Sequence, residues 1–236
     1  MLKADLHLHS SEDPQDTGFA YDARMLIDRA ATLGFNAIAL TNHRAVSHTP
    51  ALARYARQRG ILLIPGCEAE IDGKHLLLLN VTEKERRQVH TFDDLRALRR
   101  RRGKTMLCIV PHPCFPSRSS MGQRRVRKNA DVFDAIELSQ YGEGIVDLNR
   151  RAARLANDLG KPLVASSDAH SFRFFGKIYT NVDGKATVQD VLDAIRGGHA
   201  RPVVQRLSKK DFTYLFWHAL KMFALKYAGF ESNDAF

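Results

Sequence analysis

The chain has 236 residues, 44% hydrophobic and 26% charged, a balance that excludes disordered and fibrous classes. That length suits one large domain, or one domain with a short appendage, and buries enough core to fold without disulfides. A formal net charge of +10 and a sequence pI of about 9.7 favour anionic partners: phosphate esters, nucleic acid or acidic lipid.

Three cysteines, Cys67, Cys108 and Cys114, with no CxxC spacing, argue against a secreted disulfide scaffold and read as reduced thiols of a cytoplasmic protein. The N-terminus enters a strand at once, without a signal peptide's apolar run. No stretch approaches the ~18 uncharged apolar residues of a membrane span.

Short apolar runs alternate with amphipathic stretches. Residues 2–6 predict a strand, 23–33 a helix and 37–40 a second strand. Pro50 opens a helix that Gly60 ends, and residues 61–64 predict the next strand. Asp72-Gly73 is a hairpin turn signal ahead of the apolar run 76–79. Thr91 and Asp94 predict a capped helix through Arg101. Strands follow at 106–110, 132–138 and 163–165, with a helix over 145–159 between the last two. A late helix at 187–196 and a strand at 201–207 complete the pattern. Strands separated by helices imply parallel pairing, hence a small, irregular β/α barrel over residues 1–207; a doubly wound open sheet is the alternative. After Ser208 the composition shifts to a helix that is apolar on most of its circumference, with His218, Lys221 and Lys226 on a narrow polar stripe. Residues 208–236 are expected to dock on the barrel or on a partner, with membrane-surface contact as the lesser reading.

Potential metal ligands fall just beyond the strand ends. Asp5, His7 and His9 alternate along the first strand and so share a face. His43 follows the second strand, Glu68 the third, His112 the strand ending at Val110, and Asp168 and His170 the strand ending at Ala165. In a parallel barrel those ends gather on one face. His75 joins them as the return arm of the Asp72-Gly73 hairpin, and the acidic loop carrying Asp13 and Asp16 adds a carboxylate. A lone histidine after a strand is usually a hydrogen-bonded loop residue, but six of the ten histidines in such positions are hard to assign to chance. Imidazoles and carboxylates without thiolate suit zinc, manganese or iron. The set is too large for one ion, so two or three divalent metals are expected, with Glu68 able to bridge.

The pieces D-L-H-L-H-S, T-N-H, G-C-E-A-E, K-H-L-L-L-L, P-H-P and S-S-D-A-H together resemble the PHP superfamily, named for polymerase and histidinol phosphatase. The resemblance covers roughly residues 1–205. It implies a distorted (β/α)7 barrel, a trinuclear metal site and phosphoesterase activity. Carried over, it makes His7, His9 and Asp168 ligands of one ion and His75 and His112 ligands of a second, with Glu68 bridging. Asp16, His43 and His170 become ligands of the third, Asp16 fitting the longer loop spacing better than Asp13. Thr41-Asn42-His43 departs from the usual acid beside that histidine.

The expected chemistry is hydrolysis of a phosphate ester, on a small phosphorylated metabolite or nucleotide, by a metal-bridging hydroxide. Glu68, Asp168 and His170 are the expected catalytic groups, with Asp168, His170 or a metal-held water supplying the leaving-group proton. Arg44, Arg118, Arg173 and Lys177 are candidate phosphate contacts. The alternative is a nuclease acting on nucleic-acid ends, tracking its substrate along Arg99–Arg102 with Lys104 or along Arg124, Arg125, Arg127 and Lys128. A metal-stabilised module without activity and a metal-dependent amide hydrolase are lesser readings.

Overall fold

A computed structural model describes residues 1–16, 18–140 and 147–205, with Asp211 and Thr213. The expected C-terminal helix and its polar stripe lie otherwise outside the described residues.

Nine strands form one mixed sheet in the order β7-β6-β5-β4-β3-β2-β1-β8-β9. They are β1 (Leu2–Leu8), β2 (Ala37–Leu40), β3 (Leu62–Ile71), β4 (Lys74–Leu79), β5 (Leu107–Val110), β6 (Ala135–Ser139), β7 (Leu163–Ser166), β8 (Ile178–Val182) and β9 (Ala200–Val204). β1, β2 and β3 run parallel, as do β5, β6 and β7. The expected parallel pairing is interrupted at two places, the first being the hairpin that the Asp72-Gly73 turn signal predicts. β4 folds back antiparallel on β3 through the two-residue Asp72-Gly73 turn, and β8 and β9 add antiparallel on the far edge of β1. The sheet curls until β7 meets β1: Ala169 bridges to Leu8, and the Asp168 amide donates to the His7 carbonyl at 3.0 Å. The result is a nearly closed, distorted TIM-like barrel.

The helices are α1 (Ala23–Thr32), α2 (Pro50–Gln58), α3 (Glu83–Arg86), α4 (Phe92–Arg102), α5 (Gly122–Lys128), α6 (Leu148–Asp158) and α7 (Val188–Arg196). Their starts follow local chemistry. Thr82 with Glu85, and Thr91 with Asp94, form reciprocal capping boxes. Asp22, Thr49, Asp147 and Thr187 each accept from a first-turn amide.

Leu6, Ala39, Ile64, Leu77, Ile109 and Val164, from six strands, meet in one fully buried cluster. α7 adds Val191 and Leu192 to it. Below, the Arg196 guanidinium donates to the Met106 carbonyl and to Asp134, so α7 seals the end where strands begin. The opposite end carries the polar groups. Gly66 lies where β3 and β4 approach closely: a Cβ there would stand 2.8 Å from Leu79 Cδ2 and 3.2 Å from Thr41 Cγ2.

Candidate metal centre

All nine residues expected as ligands converge at the C-terminal mouth of the parallel strands. At the middle is Glu68, only 2% exposed. Its Oε2 lies 3.2 Å from His7 Nε2, 3.4 Å from His9 Nε2 and 3.1 Å from His43 Nε2. Its Oε1 lies 2.8 Å from His75 Nδ1 and 3.4 Å from His112 Nε2. One carboxylate therefore touches five imidazoles from four separate segments. The β3–β4 hairpin places His75 opposite Glu70, which puts it at the mouth although it precedes its apolar run.

Asp168 Oδ1 lies 3.3 Å from His7 Nε2 and 3.4 Å from His9 Nε2. His170 Nε2 lies 2.8 Å from Asp16 Oδ2, and its Nδ1 is 3.0 Å from the Asp168 carbonyl. Phe19 stacks on the His170 ring at 5.6 Å. His112 and Asp168 hold left-handed backbone, at φ 30° and 49°, a strained conformation for residues other than glycine.

The choice between Asp13 and Asp16 resolves into both being present, in different surroundings. Asp13 Oδ2 accepts from the His43 amide at 2.7 Å and lies 2.9 Å from His9 Nδ1 and 3.0 Å from His43 Nδ1. Its Oδ1 accepts from the Gln15 and Asp16 amides, so Asp13 also shapes the loop that aims Asp16.

Glu137 on β6 is a site residue that the sequence reading missed. It is fully buried, lies 3.1 Å from His7 Nδ1 and accepts from the His112 amide at 3.1 Å. A charged residue inside the apolar run Ala-Ile-Glu-Leu was the available signal. Asp5, also fully buried, accepts from the Ser167 and His7 amides and so stands behind the ligands.

Buried carboxylates and imidazoles perturb one another strongly within the cluster. Burial works against the charged form of Glu68, yet the His7 and His75 imidazoles outweigh it and hold its carboxyl well below the usual range. Burial likewise disfavours protonated His7, but Asp168, Glu137 and Glu68 hold its pKa well above normal. His43 is lifted to about 9, burial opposing and its contacts with Asp13 and Glu68 prevailing. Burial raises Asp5 to about 7.

The residues fit divalent metals. His9 Nε2 and Glu68 Oε1 are buried and make no hydrogen bond, although both face the centre. Ligand atoms of His7, His9 and Asp168, of His43, Glu68 and His75, and of His9, Asp13, Asp16 and His43 lie within 4.8 Å of one another in each set. Carboxylates hold the outer nitrogens of His7 and His9, which fixes the ring atom that would meet a metal.

The proposed phosphate contacts are more scattered. Arg44 is exposed and pairs with Glu70. Arg118 is exposed, its carbonyl receiving Lys74 Nζ. Arg173 and Lys177 both face the buried carboxylate of Asp211, at 3.1 and 2.6 Å, a partner not anticipated from sequence.

Residues 147–200 match the family model described as PHP-associated. This segment of the chain is thus similar to PHP proteins. Solved structures share the fold of the whole chain. PsfC from Pseudomonas syringae superposes with a TM-score of 0.65 at 17% identity, covering 95% of this chain and 98% of that one. A candidate metal-dependent phosphoesterase from Bifidobacterium adolescentis gives 0.55 at 13% identity, covering 71% and 87%. An amidohydrolase from Chromobacterium violaceum, holding sulfate and no metal, gives 0.52 at 18% identity, covering 86% and 93%. No curated protein matches this chain by sequence. Among the described residues, no helix is long and apolar enough to cross a membrane.

Proposed function

We propose that this chain is a metal-dependent phosphoesterase that hydrolyses a phosphate ester of a small metabolite or nucleotide at a centre of two or three zinc, manganese or iron ions. The observation that carries this reading is the Glu68 carboxylate among five imidazoles, too many donors for a single ion.

His7, His9, Glu68 and Asp168 would hold one ion, Glu68, His75 and His112 a second, and Asp16, His43 and His170 a third. Bound there, divalent ions supply Lewis acidity, which acidifies water and neutralises charge on phosphoryl oxygens. Glu137 and Asp13 fix the His7 and His9 rings from behind. His170 has the most exposed side chain of the six imidazoles, 34% against 11% or less for the others. It is therefore the group best placed to give a proton to the leaving oxygen, with Asp168 beside it. Arg44 and Arg118 are the rim guanidiniums closest in sequence to His43 and His112.

The test is a screen of phosphate esters, with a chromogenic monoester and labelled oligonucleotides side by side, using protein of measured metal content and His9→Ala as control. Hydrolysis that follows metal content and vanishes in the control is expected. Metal-loaded protein that leaves both monoesters and diesters intact overturns the reading. A nuclease acting on nucleic-acid ends is the second reading, favoured by the charge distribution described next.

A further inference from the structure

The two basic runs that look alike in sequence have different fates in the fold. In the first, Arg99 pairs with Asp134 at 2.6 Å, Arg102 with Glu85 at 2.6 Å and Arg101 with Glu85 at 3.7 Å. Those charges are largely spent holding α4 to its neighbours. The second run lies on α5, where Arg124, Arg125, Arg127 and Lys128 are all exposed. From His112 to Lys128 the chain has five basic residues and no acidic one. α6 adds Arg150, Arg151 and Arg154, also exposed, and no acid until Asp158. The Arg127–Asp158 ion pair, at 2.6 Å, sets the two helices side by side. Among the described residues, Arg124, Arg125, Lys128, Arg150, Arg151 and Arg154 have no carboxylate within ion-pair distance.

This face begins at the mouth of the metal centre. The loop that leads into α5 receives the His75 amide on the Ser119 carbonyl, at 2.9 Å. At the start of α6, Asn149 bonds both the amide and the carbonyl of Ser139, where β6 ends. Leu148 and Ala152 of α6 share a small cavity with His112, Cys114 and Glu137.

We propose that the α5–α6 face binds the phosphate backbone of a single-stranded nucleic acid and leads its end toward the metal centre, which rests on the phosphoesterase reading above. Unneutralised cations concentrated on one face are the electrostatic footprint of a polyanion. α6 alone spans about 16 Å at 1.5 Å per residue, enough for several phosphates. His7 and His9 are fully buried, so a strand end can approach them where a duplex cannot. The face shows no exposed large apolar side chain; among the described residues only Met1 and Met25 are such, which disfavours insertion into a lipid surface. Recognition would be electrostatic and independent of base sequence.

The test is fluorescence anisotropy of a labelled phosphorothioate strand of roughly 12 nucleotides with the metal-loaded full chain, over a salt series, for wild type and for the combined Arg124→Gln, Arg125→Gln, Arg151→Gln variant. Binding should weaken with salt, and the variant should lower the slope of log affinity against log salt by about 2, at ~0.7 per lost phosphate contact. The variant should hydrolyse a chromogenic monoester at the wild-type rate, which reports an intact fold and centre. Absent strand binding, or equal binding by wild type and variant, overturns the proposal. So does binding to phosphatidylserine vesicles, lost in the variant, with none to the strand. Strand binding that depends on the three arginines in a protein that hydrolyses no ester would support this face while refuting the phosphoesterase reading.

Discussion

Glu137 Oε1 stands 3.1 Å from His7 Nδ1, and neither side chain is exposed to solvent. The pair fixes which ring nitrogen His7 presents to Glu68 and Asp168. Glu137→Gln keeps the volume but not the charge. It should lower metal affinity by about 10–100-fold with an unchanged far-UV circular dichroism spectrum. Competition with a chromogenic chelator measures the change; an unaltered affinity would remove Glu137 from the centre's support.

Glu68→Gln should be more severe, because it withdraws the charge shared by five imidazoles. Metal content per chain, read by elemental analysis, is expected to fall by at least one ion, and phosphoester turnover by about 100-fold or more. Full metal occupancy in this variant would contradict a bridging role.

The two acids of the first loop should separate in their effects. Asp16 meets His170 and is partly exposed, so Asp16→Asn should reduce turnover and leave the melting temperature within a degree or so. Asp13 accepts from three backbone amides, so Asp13→Asn should lower both turnover and stability, the latter by about 1–3 kcal/mol. Equal melting temperatures for the two variants would show that Asp13 does not shape the loop.

At the sealed end of the barrel, Asp134 accepts from Arg99, Arg196 and the Cys108 amide. Burial works against its charge, but Arg99 outweighs that and depresses its pKa. A depressed carboxyl adds stability that is complete above its unfolded pKa and disappears as pH falls through the folded value. Asp134→Asn should cost about 3 kcal/mol, or about 6–12 °C in Tm, at neutral pH. The gap from wild type should narrow on acidification below about pH 4. Thermal melts across that range check both the size and the sign.

Gly66→Ala would drive a methyl group against Leu79 and Thr41. An overpacking cost of about 1–3 kcal/mol is expected, together with weaker metal binding, since Glu68 lies on the same strand. A variant as stable as wild type would mean that the Leu79 tip moves aside freely.

The mouth of the barrel was legible because one rule repeats: an apolar run, then a ligand. That rule finds His43, Glu68, His112 and Asp168 without alignment, and the Asp72-Gly73 turn recovers His75. Glu137 escaped it because a lone acid between Ile136 and Leu138 reads as a solvent-facing position; only a strand covered on both sides turns it inward. β8 escaped because Ile178–Val182 follows so closely on the Asp168–His170 segment. The 11 residues between β7 and β8 are too few for a crossover helix, so the strand had to run antiparallel to β1. The contacts of Arg173 and Lys177 with Asp211 join residues up to 38 positions apart, and no local pattern announces them.

The Ser167 amide donates to the Asp5 carboxylate across 162 positions of chain, next to the seam between the first and seventh strands. A nascent chain that ends before this point has made His7, His9 and Glu68 but lacks Asp168 and His170, so two of the three proposed ligand sets are still one group short. Secure capture of the ion between His7, His9 and Asp168 is thus an event of the finished barrel, and that ion ties the opening of the polypeptide to a segment synthesised much later. Stripping that ion should loosen this seam before any other part of the sheet, and amide exchange at Leu8, Asp168 and Ala169 is where the loosening would register first.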